Sequence, residues 1–257
     1  MKRGDEKMVS VSQEQRDHVM LFVLNHPPVN SLSFPLIQEL SQALDNAIAN
    51  EAIRAIVITG HGSFFAAGAD IPSFLQLGGS LNEFLLYGAA LFDRIERRAK
   101  PVVAAVNGAA LGGGNELAMA CDIRIACPDA RFGQPEVNLG IIPGWGGTVR
   151  LPKLVGRSEA TRLLLTGEPV EVEEARRMGL IHHVVPSHLL VEYAINQADR
   201  LASLPPLALR AIKELLADPE LGQAGESERM ARLMTSEDAL EGITAFLQKR
   251  RPQFKGS

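Results

Sequence analysis

Between Gly108 and Gly140 the chain reads GAALGGGNELAMACDIRIACPDARFGQPEVNLG, and no other stretch restricts its fold and its chemistry as much. Three consecutive glycines stand at an expected helix start. Glu116 follows inside the first turn, and Glu136 returns behind a proline. Gly112, Gly113 and Gly114 leave no side chain between main chain and ligand, and the first N–H groups of a helix have no partner inside it, so they can donate to an anion. Two acids beside bare backbone donors point to a catalytic site; the plainer alternative is a tight strand-to-helix turn with two solvated glutamates.

The flanking pattern sets the fold class. After a polar leader, His18 to Leu24 and Ala55 to Thr59 are apolar runs of strand length. Ser33 is a candidate N-cap for a helix to about Ala49, because Leu36, Ile37, Leu40, Ala43, Leu44, Ala47 and Ile48 fall on one face. The Gly- and Ala-rich stretch after Thr59 is expected to be a loop at the carboxyl end of a strand, where α/β folds bind ligands. Leu81 to Arg98 reads as a helix with a basic end (Arg94, Arg97, Arg98, Lys100), which suits a solvated helix terminus or, less simply, a phosphate contact. Pro101 opens another strand. A helix from about Gly114 to Cys121 and strands at Ile123 to Cys127 and Arg131 to Gly133 follow.

Strands alternating with helices give the α/β class, with short strand, strand, helix units repeated. From Ser158 onward the pattern is mostly helical, with strand expected only at residues 181–185. The change near residue 186 divides the chain into an α/β core, 1–186, and a helical region, 187–257. Two apolar stripes in that region, Leu189, Leu190, Tyr193, Ala194 and Leu201, then Leu240, Ile243, Phe246 and Leu247, are expected to need a cover that the core alone does not give.

Several classes are set aside. A chain of 257 residues builds a core without staples, and a net charge of -4 argues against a nucleic-acid binder. The charged start lacks the apolar run of a signal peptide, and no run approaches a membrane span, so a soluble cytoplasmic protein is expected. Cys121 and Cys127 read as free buried thiols, and His182 and His183 point to opposite faces of a strand, so no metal is expected. No G-x-S-x-G or G-x-x-x-x-G-K-[ST] occurs, and the glycine cluster fails G-x-G-x-x-G at Leu117. Two carboxylates with backbone donors suit proton transfer beside a polarised carbonyl.

The segments NHPPVNSLS, FFAAGADI, AAVNGAALGGGNELAMACDIRIA, ARFGQPEVNLGIIPGWGGTVRLPKLVG and AFLQKRRPQF together resemble the crotonase, or enoyl-CoA hydratase/isomerase, superfamily over nearly the whole chain. The resemblance implies a spiral of strand-strand-helix units with a C-terminal helical oligomerisation region, assembled as trimers or hexamers. It implies backbone N–H donation from Ala69 and Gly113 to a thioester oxygen, with Glu116 as the base on water and Glu136 as the proton donor to the alpha carbon. It also implies coenzyme A contacts at Pro28, Val29, Ala67, Asp70, Ile71 and Pro72, and at Phe246 and Lys249 from the same or a neighbouring subunit. For the last pair ordinary helix packing is the alternative. No separate cofactor is implied, coenzyme A being part of the substrate. Both glutamates favour a hydratase of acyl-CoA breakdown; an isomerase, a specialised dehydratase or a non-catalytic acyl-CoA-binding relative remain alternatives. Trp145 stands where many relatives carry a small residue, and the Phe74 to Leu86 region is expected to shape the acyl pocket.

Overall fold

Strand pairing begins where apolar patterning is weakest. In the computed structural model, which describes residues 10–73, 78–97 and 100–257, the first strand is β1 (Ser10–Arg16), inside the expected polar leader. Only Val11 of it is buried, so no alternation marks it in the sequence. It forms by pairing antiparallel with β2 (Val19–Asn25) across a two-residue turn, Asp17–His18, in which Asp17 takes φ +50°. Phe74 and Arg98 lie outside the described residues, as do residues 1–9 of the leader.

Next to the hairpin, β3 (Ala55–Gly60), β5 (Val102–Val106), β7 (Ile123–Ala126) and β10 (His183–Val184) extend the sheet in parallel, in the order β1-β2-β3-β5-β7-β10. A smaller sheet joins β4 (Phe64–Ala66), β6 (Ala109–Leu111), β8 (Arg131–Gly133) and β9 (Val170–Glu171) in that order. Each turn of the chain lays one strand in the large sheet, a short one in the small sheet, and then a helix. The units are β3, β4 and α2 (Leu81–Arg97); β5, β6 and α3 (Gly113–Ala120); and β7, β8 and α4 (Gly147–Thr166). β2 opens the series with its small-sheet strand reduced to one parallel bridge, Leu32 to Ala69, before α1 (Phe34–Ala49). This is the expected spiral.

Local chemistry explains the elements. Every residue of β3 and β5 is buried, as parallel strands covered on both faces require, so both read as unbroken apolar runs. Ser33 Oγ accepts the Leu36 N–H and caps α1, whose buried face runs from Leu36 to Ala47. β4, β6 and β9 are too short to carry a period, so the stretch after Thr59 expected to be all loop contains a strand. α4 bends at Gly156, where φ is +78°. The basic end of α2 is paired within the chain: Arg94 faces Asp45 at 3.5 Å and Arg97 meets Asp93 at 2.7 Å. Lys100 donates to the Ala47 and Asn50 carbonyls that end α1, at 3.1 and 2.7 Å.

The later helices are α5 (Val172–Arg177), α6 (Leu190–Ala202), α7 (Pro206–Ala217), α8 (Gly222–Leu233) and α9 (Glu237–Gln248). α6 packs on β2, β3 and β5, burying Leu190, Ala194, Ile195 and Ala198. Of its expected stripe the chain's own core buries Leu190 and Ala194 and partly covers Tyr193 and Leu201, while Leu189 stays exposed. The α9 stripe is uncovered: Leu240, Ile243, Phe246 and Leu247 are 46 to 82% exposed. Among the described residues no helix is long and apolar enough to cross a membrane, and no cluster of His, Cys, Asp and Glu could hold a metal ion.

Candidate active site

The spiral brings the ends of β4, β6 and β8 together, and the candidate residues stand where these strands stop. β6 hands the chain to Gly112 at φ +51° and ψ −123°; a Cβ there would come within 2.7 Å of Glu136 Oε1. α3 starts one residue later and is buried throughout, which puts Glu116 at 1% exposure. Its Oε1 accepts the Trp145 N–H at 2.8 Å and the Gly147 N–H at 2.7 Å. Burial pushes the Glu116 carboxyl up to about 7, against the lowering effect of those two N–H groups; the Glu136 charge adds to the rise and the Arg150 guanidinium opposes it. Glu136 stands on the turn Pro135–Leu139 directly after β8, and burial raises its carboxyl too.

Both acids line one cavity of about 670 Å³, together with Ala69, Gly113 and Trp145. Across the Leu32 bridge, the Leu32 N–H donates to Gly68 and the Asp70 N–H donates back to Leu32, so the ladder passes either side of the Ala69 N–H. Gly113 is the first residue of α3. Neither N–H has an acceptor among the described residues. The two peptides are neighbours, since a Cβ built on Gly113 would lie 3.5 Å from the Ala69 nitrogen. The arrangement offers two acids whose carboxyls are raised by burial, Glu116 to about 7, beside two N–H groups that line the same cavity without an acceptor among the described residues.

The enoyl-CoA hydratase/isomerase family model matches residues 14–257. The chain belongs to that family. It is 43% identical to the 2,3-dehydroadipyl-CoA hydratase of Escherichia coli (strain K12), over 96% of this chain and 98% of that one. It is 38% identical to the short-chain-enoyl-CoA hydratase of Clostridium acetobutylicum, over 94% and 96%. The crystal structure of an enoyl-CoA hydratase from Bacillus anthracis superposes with a TM-score of 0.90 at 38% identity, covering 96% of this chain and all of that one.

Within this member of the enoyl-CoA hydratase/isomerase family, Ala67 and Ile71 line the same cavity, and Asp70 and Pro72 adjoin them in sequence. The Ala67 N–H donates to the Val29 carbonyl at 3.1 Å, which ties the Pro28–Val29 turn to this rim. Phe246 and Lys249 are not brought to it: Phe246 is 82% exposed on α9 and Lys249 ends that helix at φ +55°. Of the Phe74 to Leu86 region, Leu81 and Leu85 line the cavity while Leu86 is exposed. Trp145 both lines the cavity and packs, its ring edge-on to Phe84 and Phe92 at 5.2 and 5.4 Å.

Three partners of the acids escaped the sequence reading. Gln134 is buried, and with its carboxamide nitrogen turned toward Glu136 it donates to both carboxyl oxygens, at 3.2 and 3.3 Å, and to the Gly112 carbonyl at 3.2 Å. The second is the Gly147 N–H, which donates to Glu116; the third, Arg150, acts on Glu116 only through its charge and through the Trp145 carbonyl that it holds. Gln134 lies inside the FGQPE segment, so a signal was present; Gly147 and Arg150 act through burial and chain approach that the sequence does not display.

Proposed function

We propose that the chain is an enoyl-CoA hydratase, adding water reversibly across the 2,3 double bond of a 2-enoyl-CoA thioester. The observation that carries this is the meeting of two acids and two acceptor-less N–H groups in one cavity. The Ala69 and Gly113 N–H groups take the thioester oxygen and hold the charge that gathers on it, as an oxyanion hole. Ionised Glu116 accepts a proton from water as the water oxygen bonds to carbon 3. Protonated Glu136 gives its proton to carbon 2. H and OH are thereby added, and return of a proton from Glu116 to Glu136 resets the pair.

Two acids with raised pKa values beside free donors have no use in a module that only binds, which favours an enzyme. Coenzyme A follows Pro28, Val29, Ala67, Asp70, Ile71 and Pro72, and no separate cofactor takes part. A cytoplasmic protein of fatty-acid or related acyl-CoA breakdown goes with this reading. The test is a panel of 2-enoyl-CoA thioesters, from crotonyl-CoA upward, followed by loss of the conjugated absorbance. At least one is expected to be hydrated at a turnover of roughly 1–10³ s⁻¹; no loss with any of them refutes the reading.

The uncovered α9 stripe supports a second part of the proposal, assembly into trimers that pair into hexamers, with Phe246 and Lys249 reaching the nucleotide of a neighbouring subunit. Light scattering at micromolar concentration is expected to give three or six times the chain mass. A monomer there would remove both the assembly and the contacts assigned to that pair.

A further inference from the structure

Arg150 lies on α4 at 7% exposure, which is deep for a guanidinium, and joins the turn that grips Glu116 to Glu96 of α2. Its Nη1 donates to the Trp145 carbonyl at 2.6 Å, and its Nε pairs with Glu96 Oε2 on α2 at 2.8 Å. The Trp145 N–H and the Gly147 N–H, the latter one peptide beyond that carbonyl, are the two donors to Glu116 Oε1. Between them Gly146 sits at φ +105°, a residue free to rotate unless its neighbours are tied. A Cβ at Gly146 would be 2.2 Å from Arg150 Nη1, so the guanidinium lies directly over this glycine. Glu96 anchors the clamp to α2, the helix whose Phe84 and Phe92 hold the Trp145 ring.

We propose that Arg150, braced by Glu96, is a positioning residue for Glu116: it locks the Trp145–Gly147 turn so that both N–H groups meet one carboxyl oxygen and leave the other for the water. A buried ion pair is weak evidence for stability, whereas fixing one geometry is a use it serves well. The charges facing Glu116 are Glu136, which raises its pKa, and Arg150, which lowers it. Only the kinetic half of the test rests on the hydratase reading.

The chain has a single tryptophan, so ¹⁵N-tryptophan labelling gives one backbone amide signal, and that amide donates to Glu116. In the unaltered protein the signal is expected to titrate near pH 7, and in Glu116→Gln not at all. Arg150→Met is expected to move that titration to higher pH and to lower kcat about 10- to 100-fold with KM little changed. Arg150→Lys keeps the charge but cannot span the carbonyl and Glu96 together, so the titration stays near its original pH while kcat still falls. Glu96→Gln, which loosens the brace, gives a smaller fall and reads the same two quantities should Arg150→Met not fold. A lowered Tm with the amide titration and kcat per folded molecule unmoved overturns the proposal. If no enoyl-CoA is hydrated by the unaltered protein, the hydratase reading fails, and the positioning role is then read from the Trp145 amide of the charge-conserving Arg150→Lys: a displaced chemical shift with the titration near its original pH keeps the role, and an unmoved amide overturns it.

Discussion

Glu116→Gln and Glu136→Gln are each expected to cut turnover of a 2-enoyl-CoA by more than ~100-fold while leaving KM within a few-fold, because general acid–base catalysis has that size and neither acid holds the nucleotide. Glutamine fills the same space, and its oxygen at position 116 still accepts the Trp145 and Gly147 N–H groups. The loss is therefore one of proton transfer. In the unaltered protein the acid limb of kcat is expected near pH 7, where Glu116 ionises, as a property shared with Glu136. The same shift has a consequence for stability. Glu116 titrates near 4.5 when unfolded and near 7 when folded, so between those values the folded chain binds a proton that the unfolded chain does not. The cost of burying the carboxylate is absent below about pH 4.5, grows through the window, and reaches about 3 kcal/mol above pH 7. Glu116→Gln should then melt higher than the unaltered protein at pH 8 but not at pH 4. Near-normal turnover in either variant sinks the assignment, and an equal loss of stability at both pH values means the glutamine has disturbed the fold.

How far such a site can be read from sequence depends on the range of the interaction. α1, β3 and α2 were legible because sixteen, six and seventeen residues carry a full period or an unbroken apolar run. β1 was not, since an edge strand with one buried side chain has no pattern and exists only because β2 is beside it. β4, β6 and β9 are two or three residues long and are held by pairing, β4 with β6 and β9 with β8, rather than by propensity. Glu116 and Glu136 stood out as acids among glycines and apolar residues, which burial makes costly and so informative. Their partners did not. The turn that grips Glu116 lies 29 to 31 residues further along the chain, and nothing in GWGGTVR says which carbonyl the arginine meets. The two stripes of the helical region looked alike in sequence; only the fold distinguishes α6, pressed on the large sheet, from α9, left open.

Gly113→Val is expected to remove most hydratase activity, and two neighbours of the missing Cβ explain why. A Cβ at Gly113 would stand 2.5 Å from Trp145 Cζ3 and 3.5 Å from the Ala69 nitrogen. The first contact pushes on a buried ring that cannot retreat: Phe84 and Phe92 flank it, and a Cβ on Gly88 behind it would already be 2.5 Å from the indole. Overpacking of this kind costs roughly 1–3 kcal/mol, so Tm falls. Even Gly113→Ala meets this clash, because the offending atom is the Cβ itself. The second contact sets a side chain between the two N–H groups proposed to share the thioester oxygen. Losing one such donor costs about 3 kcal/mol of transition-state stabilisation, or about 100-fold in rate. The two effects are separable when turnover per folded molecule is read together with the Trp145 backbone amide on the same sample, since a displaced Trp145 disturbs its bond to Glu116 and a lost Gly113 donor does not. If the glycine serves only to let the chain turn, catalysis per folded molecule is preserved while Tm drops, and Gly113 leaves the mechanism. If its N–H holds the oxygen, activity per folded molecule falls about 100-fold or more in the valine variant, with Glu116 and Glu136 both intact.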